Sequence, residues 1–284
     1  MASKEKELNK QGALRLVFFK EKTHEELGKL AMTSITLCIT LILLLAATLT
    51  QLVDRICVPI IFRHRFTRTI YMLTAAVFVP IHELSHAIGC LIFRHKINKI
   101  VLFSPNTKTG QLGYVEHSWN TRSLYQNIGC FFIAVFPLIT ASIAVYSILP
   151  EKNIEITTTS NFNSNVTVLV ADVVSKGYSM AVNALNINNN INGWVTVFVV
   201  LLCYHCTPSR SDFINAFTGG LVFILVMLGM NFINIETALL HHWLMSISQI
   251  MAVMISASFL GIAFCLMLTI CAILISYRTD FHGK

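Results

Sequence analysis

The sequence predicts an all-α transmembrane protein with about six membrane-spanning helices and a small β-hairpin at the cytosolic face. Three observations predict it. Hydrophobic residues make up 55% of the 284 residues and charged ones 12%, where soluble domains carry about a quarter charged. Several stretches run for about twenty residues with hardly a charge, the length that crosses about 30 Å of hydrocarbon. Between two of them lies a β-branched run, Ile97-Asn98-Lys99-Ile100-Val101-Leu102-Phe103, broken by Ser104-Pro105-Asn106 and followed by a second short strand from Gly110 to His117, the pattern of a hairpin.

Residues 1–29 form a polar, basic leader, with Leu14-Arg15-Leu16-Val17-Phe18-Phe19 suited to the membrane surface. Residues 30–68 hold the first span, about Leu30 to Val53, and a basic loop at 54–68 with Arg55, Arg63, Arg65 and Arg68. No small-residue cleavage site follows the first apolar run, which reads as a retained span. Residues 69–216 form a core. It comprises a second span, Thr69 to Phe93, the hairpin, and a third span, Arg122 to Leu149. An extracytosolic loop at 150–192, rich in Asn, Ser and Thr, then leads to a fourth span from Asn192 to His205. The loop carries the sequon Asn165-Val166-Thr167. Residues 217–284 complete two C-terminal spans, about Phe213 to Ile235 and Leu244 to Tyr277, and a short tail.

Charge sets the orientation. With the N-terminus inside, the inner segments hold fifteen of the 21 Lys and Arg and the outer segments six, which predicts both termini in the cytosol. The chain reads as a multi-pass integral membrane protein, in the cell inner membrane if bacterial. The net charge of +7 gathers at the ends of apolar runs, with no interleaved basic and aromatic patch, so a nucleic-acid partner is excluded. Of the eight cysteines, Cys38, Cys90, Cys130, Cys265 and Cys271 lie inside apolar runs, where Cys acts as a small hydrophobe. No disulfide framework is expected.

The second span carries His82-Glu83-Leu84-Ser85-His86. Residues four apart share a helix face, so His82 and His86 can offer two imidazoles to one zinc ion. Glu83 stands beside them as a base for a water activated by the ion. Two His and a Glu within an apolar helix cost several kcal/mol unless paired, protonated or metal-bound. A catalytic zinc site takes a third protein ligand. Asp212 is one choice, at the end of the turn Pro208-Ser209-Arg210-Ser211-Asp212; it also suits the cap of the next helix. Glu116, in the hairpin, is another. Cys203 and Cys206 flank His205 in a CxxC that reads as packing rather than a redox or metal pair. His241 and His242 beside Trp243 read as an interfacial anchor.

This order of parts resembles the site-2 protease family of intramembrane zinc metalloproteases. The resemblance covers about residues 69–216: an HExxH helix, then a cytosolic hairpin, a returning helix, and a later helix that brings an Asp. The family's Leu-Asp-Gly motif is replaced by Ser211-Asp212-Phe213, as in a divergent member. The resemblance implies one Zn2+ held by His82, His86 and Asp212, with Glu83 catalytic. It implies cleavage of a peptide bond within or next to a transmembrane segment of a membrane-protein substrate in the lipid bilayer. Alternatives are a prenyl-protein or heat-shock type membrane metalloprotease with a Glu third ligand, a non-enzymatic zinc-binding membrane protein, and a metal transporter.

Overall fold

The structure is a computed structural model and describes residues 45–46, 48–106, 110–149, 166–186, 193–230 and 237–282. The leader, most of the expected first span and the sequon asparagine lie outside them. Seven helices and two strands follow in order: α1 (48–61), α2 (Arg65–Ile92), β1 (Lys96–Val101), β2 (Tyr114–Ser118), α3 (Leu124–Ile148), α4 (Val166–Leu185), α5 (Gly193–His205), α6 (Arg210–Met230) and α7 (Thr237–His282).

Among the described residues, three segments are long and apolar enough to cross a membrane: Arg65–Ile92, Leu124–Ile148 and Ser246–Arg278. The polarity of α2 is inverted relative to a helix in water. It turns Leu73, Val77, Leu84, Ile88 and Leu91 outward and buries His82, Glu83, Ser85 and His86. Water as solvent favours the reverse; lipid as solvent favours this arrangement.

The basic stretch 54–68 is not a loop. α1 runs to residue 61 and α2 opens at Arg65, so the connection is a tight helical turn. Thr67 Oγ1 closes it by donating to the Ile61 carbonyl at 2.6 Å. The stretch 150–192 is likewise only partly loop. Its Val-rich half forms α4, which buries Val173, Met180, Ala181 and Ala184 in the main core with Val145, Ile148, Ala252 and Leu260. Gly177 makes this contact possible, since a Cβ there would lie 2.7 Å from Ile255 Cγ2.

β1 and β2 pair antiparallel, with Ile97 opposite His117 and Val101 opposite Tyr114, and an irregularity between Ile97 and Lys99. The sheet does not stay at the end of the bundle. It starts beyond Ile92 and runs back along α2, so that Gly113 meets the Glu83 side chain.

Contacts fix the helix directions. α3 is antiparallel to α2: Tyr125 donates to the Ile92 carbonyl, Ile133 lies beside His86, and Thr140 beside Ser85. α5 is also antiparallel to α2, because His205 reaches Thr74 while Phe198 stacks edge-on against Phe78. α6 is antiparallel to α3: Asp212 lies near the His86 that Ile133 contacts, and Gly219 packs on Asn127 and Phe131. α5 and α6 are thus a helical hairpin that enters from the sheet end of the bundle and turns inside it at 206–209. With 13 residues, α5 is roughly 20 Å long, short of the hydrocarbon thickness. Among the described residues neither α5 nor α6 counts among the segments long and apolar enough to cross, so the expected fourth and fifth spans are not shown.

The sixth expected span is part of α7, which runs parallel to α1. Cys265 contacts Asp54, and Ser276 bonds His64 in the α1–α2 turn at 2.6 Å. That turn is at the end of α2 remote from Ile92. The end of α7 and the start of the sheet therefore lie at opposite ends of the bundle, which corrects the expectation of both on one face.

Candidate metal centre

His82 and His86 sit one turn apart on the inner face of α2, and both are buried. The spacing alone makes their rings neighbours; what aims them is backbone from two other helices. His82 Nδ1 donates to the His205 carbonyl at 2.9 Å. His86 Nδ1 donates to the Ile133 carbonyl at 2.7 Å. Helical carbonyls are normally occupied by the N–H four residues on. For Ile133 that residue is Pro137, which has no N–H. For His205, α5 ends and Pro208 follows, so its last carbonyls face no helical donor. Pro137 thus frees one acceptor, and the end of α5 frees the other, since the Ser209 N–H four residues past His205 donates to Asp212 Oδ2 instead.

Asp212 is placed by a reciprocal cap at the start of α6. Its N–H donates to Ser209 Oγ at 3.3 Å, and the Ser209 N–H donates to Asp212 Oδ2 at 2.7 Å. This is a capping box with Asp in the Glu position. The same carboxylate faces both rings: Oδ2 lies 3.4 Å from His82 Nε2, and Oδ1 lies 3.1 Å from His86 Nε2. The capping and ligand readings of Asp212 are compatible, because the cap holds the carboxylate where a ligand is needed.

The two Nε2 atoms are 3.0 Å apart. A neutral imidazole carries one N–H, and each ring has committed its own at Nδ1. With both rings neutral, two lone pairs and a carboxylate converge with no donor among them, an arrangement relieved by a bound metal ion or by protonation of a ring. The ligand atoms all lie within 4.8 Å of one another, and His82, His86 and Asp212 are the metal-capable group found among the described residues. The donor set fits a divalent ion that accepts imidazole and carboxylate, and the Nδ1 partners are the outer bonds that such sites use.

Glu83 is buried beside the group, and a cavity of about 1210 Å³ runs past it. The cavity is walled by the hairpin from Gly110 to His117 on one side, by His82, His86 and Asp212, and by Asp54, Tyr71 and Tyr204 on the other. A Cβ at Gly113 would lie 2.8 Å from the Val101 and Leu102 carbonyls and 2.9 Å from Glu83 Cγ, so glycine lets the two arms of the hairpin meet at this point beside Glu83.

The other sequence candidates fall elsewhere. Glu116 is exposed on β2 opposite Lys99 and outside the ligand group, although it lines the cavity. Cys203 and Cys206 are buried, free and part of the core. His205 donates its Nε2–H to Thr74 Oγ1 at 2.9 Å. His241 and His242 fall in α7, but their side chains lie outside the described set.

Sequence reasoning missed a second histidine pair. His95 Nε2 donates to the Gln126 carbonyl at 2.9 Å, which leaves its Nδ1 to accept from His117 Nδ1 at 3.1 Å. Trp119 stacks on His95. Burial, then the nearby His95 and His86 rings, pushes His117 down to about 4; burial also lowers His95. The pair is neutral at pH 7 and ties β2 to α3. Their spacing of 22 residues offered no periodic signal.

No family model, no curated protein and no solved structure matches the chain.

Proposed function

We propose that this chain is an intramembrane zinc metalloprotease that hydrolyses a peptide bond within or beside a transmembrane segment of a membrane protein. The observation that carries the reading is the convergence of His82 Nε2, His86 Nε2 and the Asp212 carboxylate, with both Nδ1 protons committed outward and Glu83 next in the chain at a cavity. Zinc bound there would supply Lewis acidity to a peptide carbonyl. Glu83 takes the proton of the attacking water and later gives it to the leaving amine.

A substrate backbone in lipid lacks partners for its N–H and C=O groups. The hairpin beside the cavity offers strand edge for an unwound segment to pair with. We place the sheet on the cytosolic side, since 94–122 carries Arg94, Lys96, Lys99, Lys108 and Arg122. In this reading α5 and α6 form a re-entrant pair in place of two spans, irregular backbone tolerated because it lines a cavity.

The test is zinc content and cleavage of transmembrane substrates by the wild type and Glu83→Gln. The variant keeps zinc and loses at least about 100-fold in cleavage. Cleavage by the variant at the wild-type rate would remove the protease reading. Zinc flux into liposomes without proteolysis would replace it with transport.

A further inference from the structure

The cavity continues past the metal ligands to a second polar group that the proposed reaction does not use. Asp54 on α1 lines it, together with Gln51, Tyr71 and Tyr204. The carboxylate accepts from the Cys265 thiol at 3.6 Å, a weak donor. Among the described residues, no Lys, Arg or His forms an ion pair with Asp54; the ion pairs found there join His82 and His86 to Asp212. Arg55, next in the chain, lines the same cavity without pairing to it. Tyr71 and Tyr204 stand beside the carboxylate, within its electrostatic reach, with ring centroids 6.1 Å apart and planes at 78°. The Tyr71 ring is also 5.7 Å from His205, whose carbonyl orients His82, so this pocket and the metal centre share a wall.

A carboxylate inside an apolar bundle is costly without a counter-charge. One beside two aromatic rings is the chemistry that holds an ammonium or guanidinium group. We infer that Asp54, Tyr71 and Tyr204 form a subsite for a Lys or Arg side chain of the substrate, on the far side of the metal centre from the hairpin. This rests on the protease reading, because it names a feature of that substrate. Tyr71 and His82 are eleven positions apart on α2, a rise of about 16 Å. An extended chain covers that in about five residues, so the basic residue lies about five positions from the scissile bond.

The test uses the full-length, zinc-loaded Glu83→Gln protein in detergent micelles. Fluorescent 21-residue apolar peptides carry one Lys, or norleucine in its place, moved one position at a time. In one register the Lys peptide binds about tenfold more tightly than its norleucine twin. Asp54→Asn removes that advantage at unchanged zinc content, and Asp54→Glu retains part of it. If no register favours Lys, the subsite is wrong whatever the variants do; a full advantage in zinc-loaded Asp54→Asn also overturns it. Binding is read apart from cleavage. An Asp54-dependent Lys preference in a protein whose Glu83 form cleaves nothing keeps the subsite and sinks the protease. Cleavage without any Lys preference does the opposite.

Discussion

At the scale of single residues, the site depends on what Pro137 and the end of α5 leave undone. Pro137 withholds the N–H that would occupy the Ile133 carbonyl, and His86 uses that carbonyl. Proline inside a helix disfavours it by about 3 kcal/mol relative to alanine. Pro137→Ala is therefore expected to raise the melting temperature of the metal-free protein. It also brings an N–H back into competition with His86 Nδ1, and loss of such an outer bond weakens metal binding about 10- to 100-fold. Chelator competition reads the second effect and thermal melting the first. A variant more stable with unchanged zinc affinity would show that His86 does not need the Ile133 carbonyl. Ser209→Ala separates the two duties of Asp212 in the same way. The cap loses about 1 kcal/mol, and zinc affinity falls because the carboxylate loses the reciprocal bond that positions it. These two residues also mark the limit of what the sequence made legible. The HELSH spacing brings two candidate ligands together because four residues are about one helical turn. Pro208 and Asp212 were visible as a turn inside an apolar region. The carbonyls of Ile133 and His205 were not, because a backbone acceptor has no side-chain signature and becomes available only through the packing of α2 against α3 and α5.

At the scale of elements, the hairpin was legible from its β-branched run and Ser104-Pro105-Asn106 break, but its position was not. Nothing local says that a strand pair folds back along α2. The packing that holds it there includes Gly113, and Gly113→Ala is expected to distort the hairpin where it meets Glu83, since the Val101 and Leu102 carbonyls of the opposite arm lie at 2.8 Å and Glu83 Cγ at 2.9 Å. Cleavage should fall at least tenfold while zinc content stays the same; normal cleavage would show that the hairpin can retreat freely. The His95–His117 link is the second anchor, and its pH dependence has a definite sign. A histidine takes a proton near 6.5 in the unfolded chain, whereas His117 in the fold takes it at about 4. The unfolded form binds more protons between these values, so the hairpin's contribution to stability is complete above about pH 6.5 and is lost as the pH falls toward 4. The melting temperature should drop between pH 7 and pH 4.5 by more in the wild type than in His117→Phe. An equal drop in both would place the acid sensitivity elsewhere. α4 was hidden for a compositional reason: the Asn, Ser and Thr around it masked Val166-Thr167-Val168-Leu169-Val170, and its partner, α7, is far away in sequence.

At the scale of the whole molecule, counting apolar runs and knowing how they cross are different problems. The run ending at His205 has the composition of a span, and sequence reasoning took it for one. Within the described residues it is a 13-residue helix whose rings set its course: Phe198 meets Phe78 and His205 meets Tyr71 and Thr74, so α5 runs toward the α1–α2 turn. α6 then descends beside α3 with Gly219 against Asn127. The arrangement brings the carbonyl end of one helix and the N-terminal end of the next to the same candidate metal centre, the first orienting His82 and the second holding Asp212. A helix that crossed completely would present neither end there. The pairing makes a topological prediction. In a cysteine-free background, single cysteines at Ser118, Gly193 and Arg278 are reacted with a membrane-impermeant maleimide in sealed vesicles of known orientation. Ser118 and Gly193 should be labelled from the same side, and Arg278, beyond the Ser276–His64 contact, from the other. Gly193 labelled opposite to Ser118 would mean that α5 crosses the bilayer. Asp212 would then have to reach the histidines from the end of a full span, and the account of why both helix ends meet at the ligands would fail.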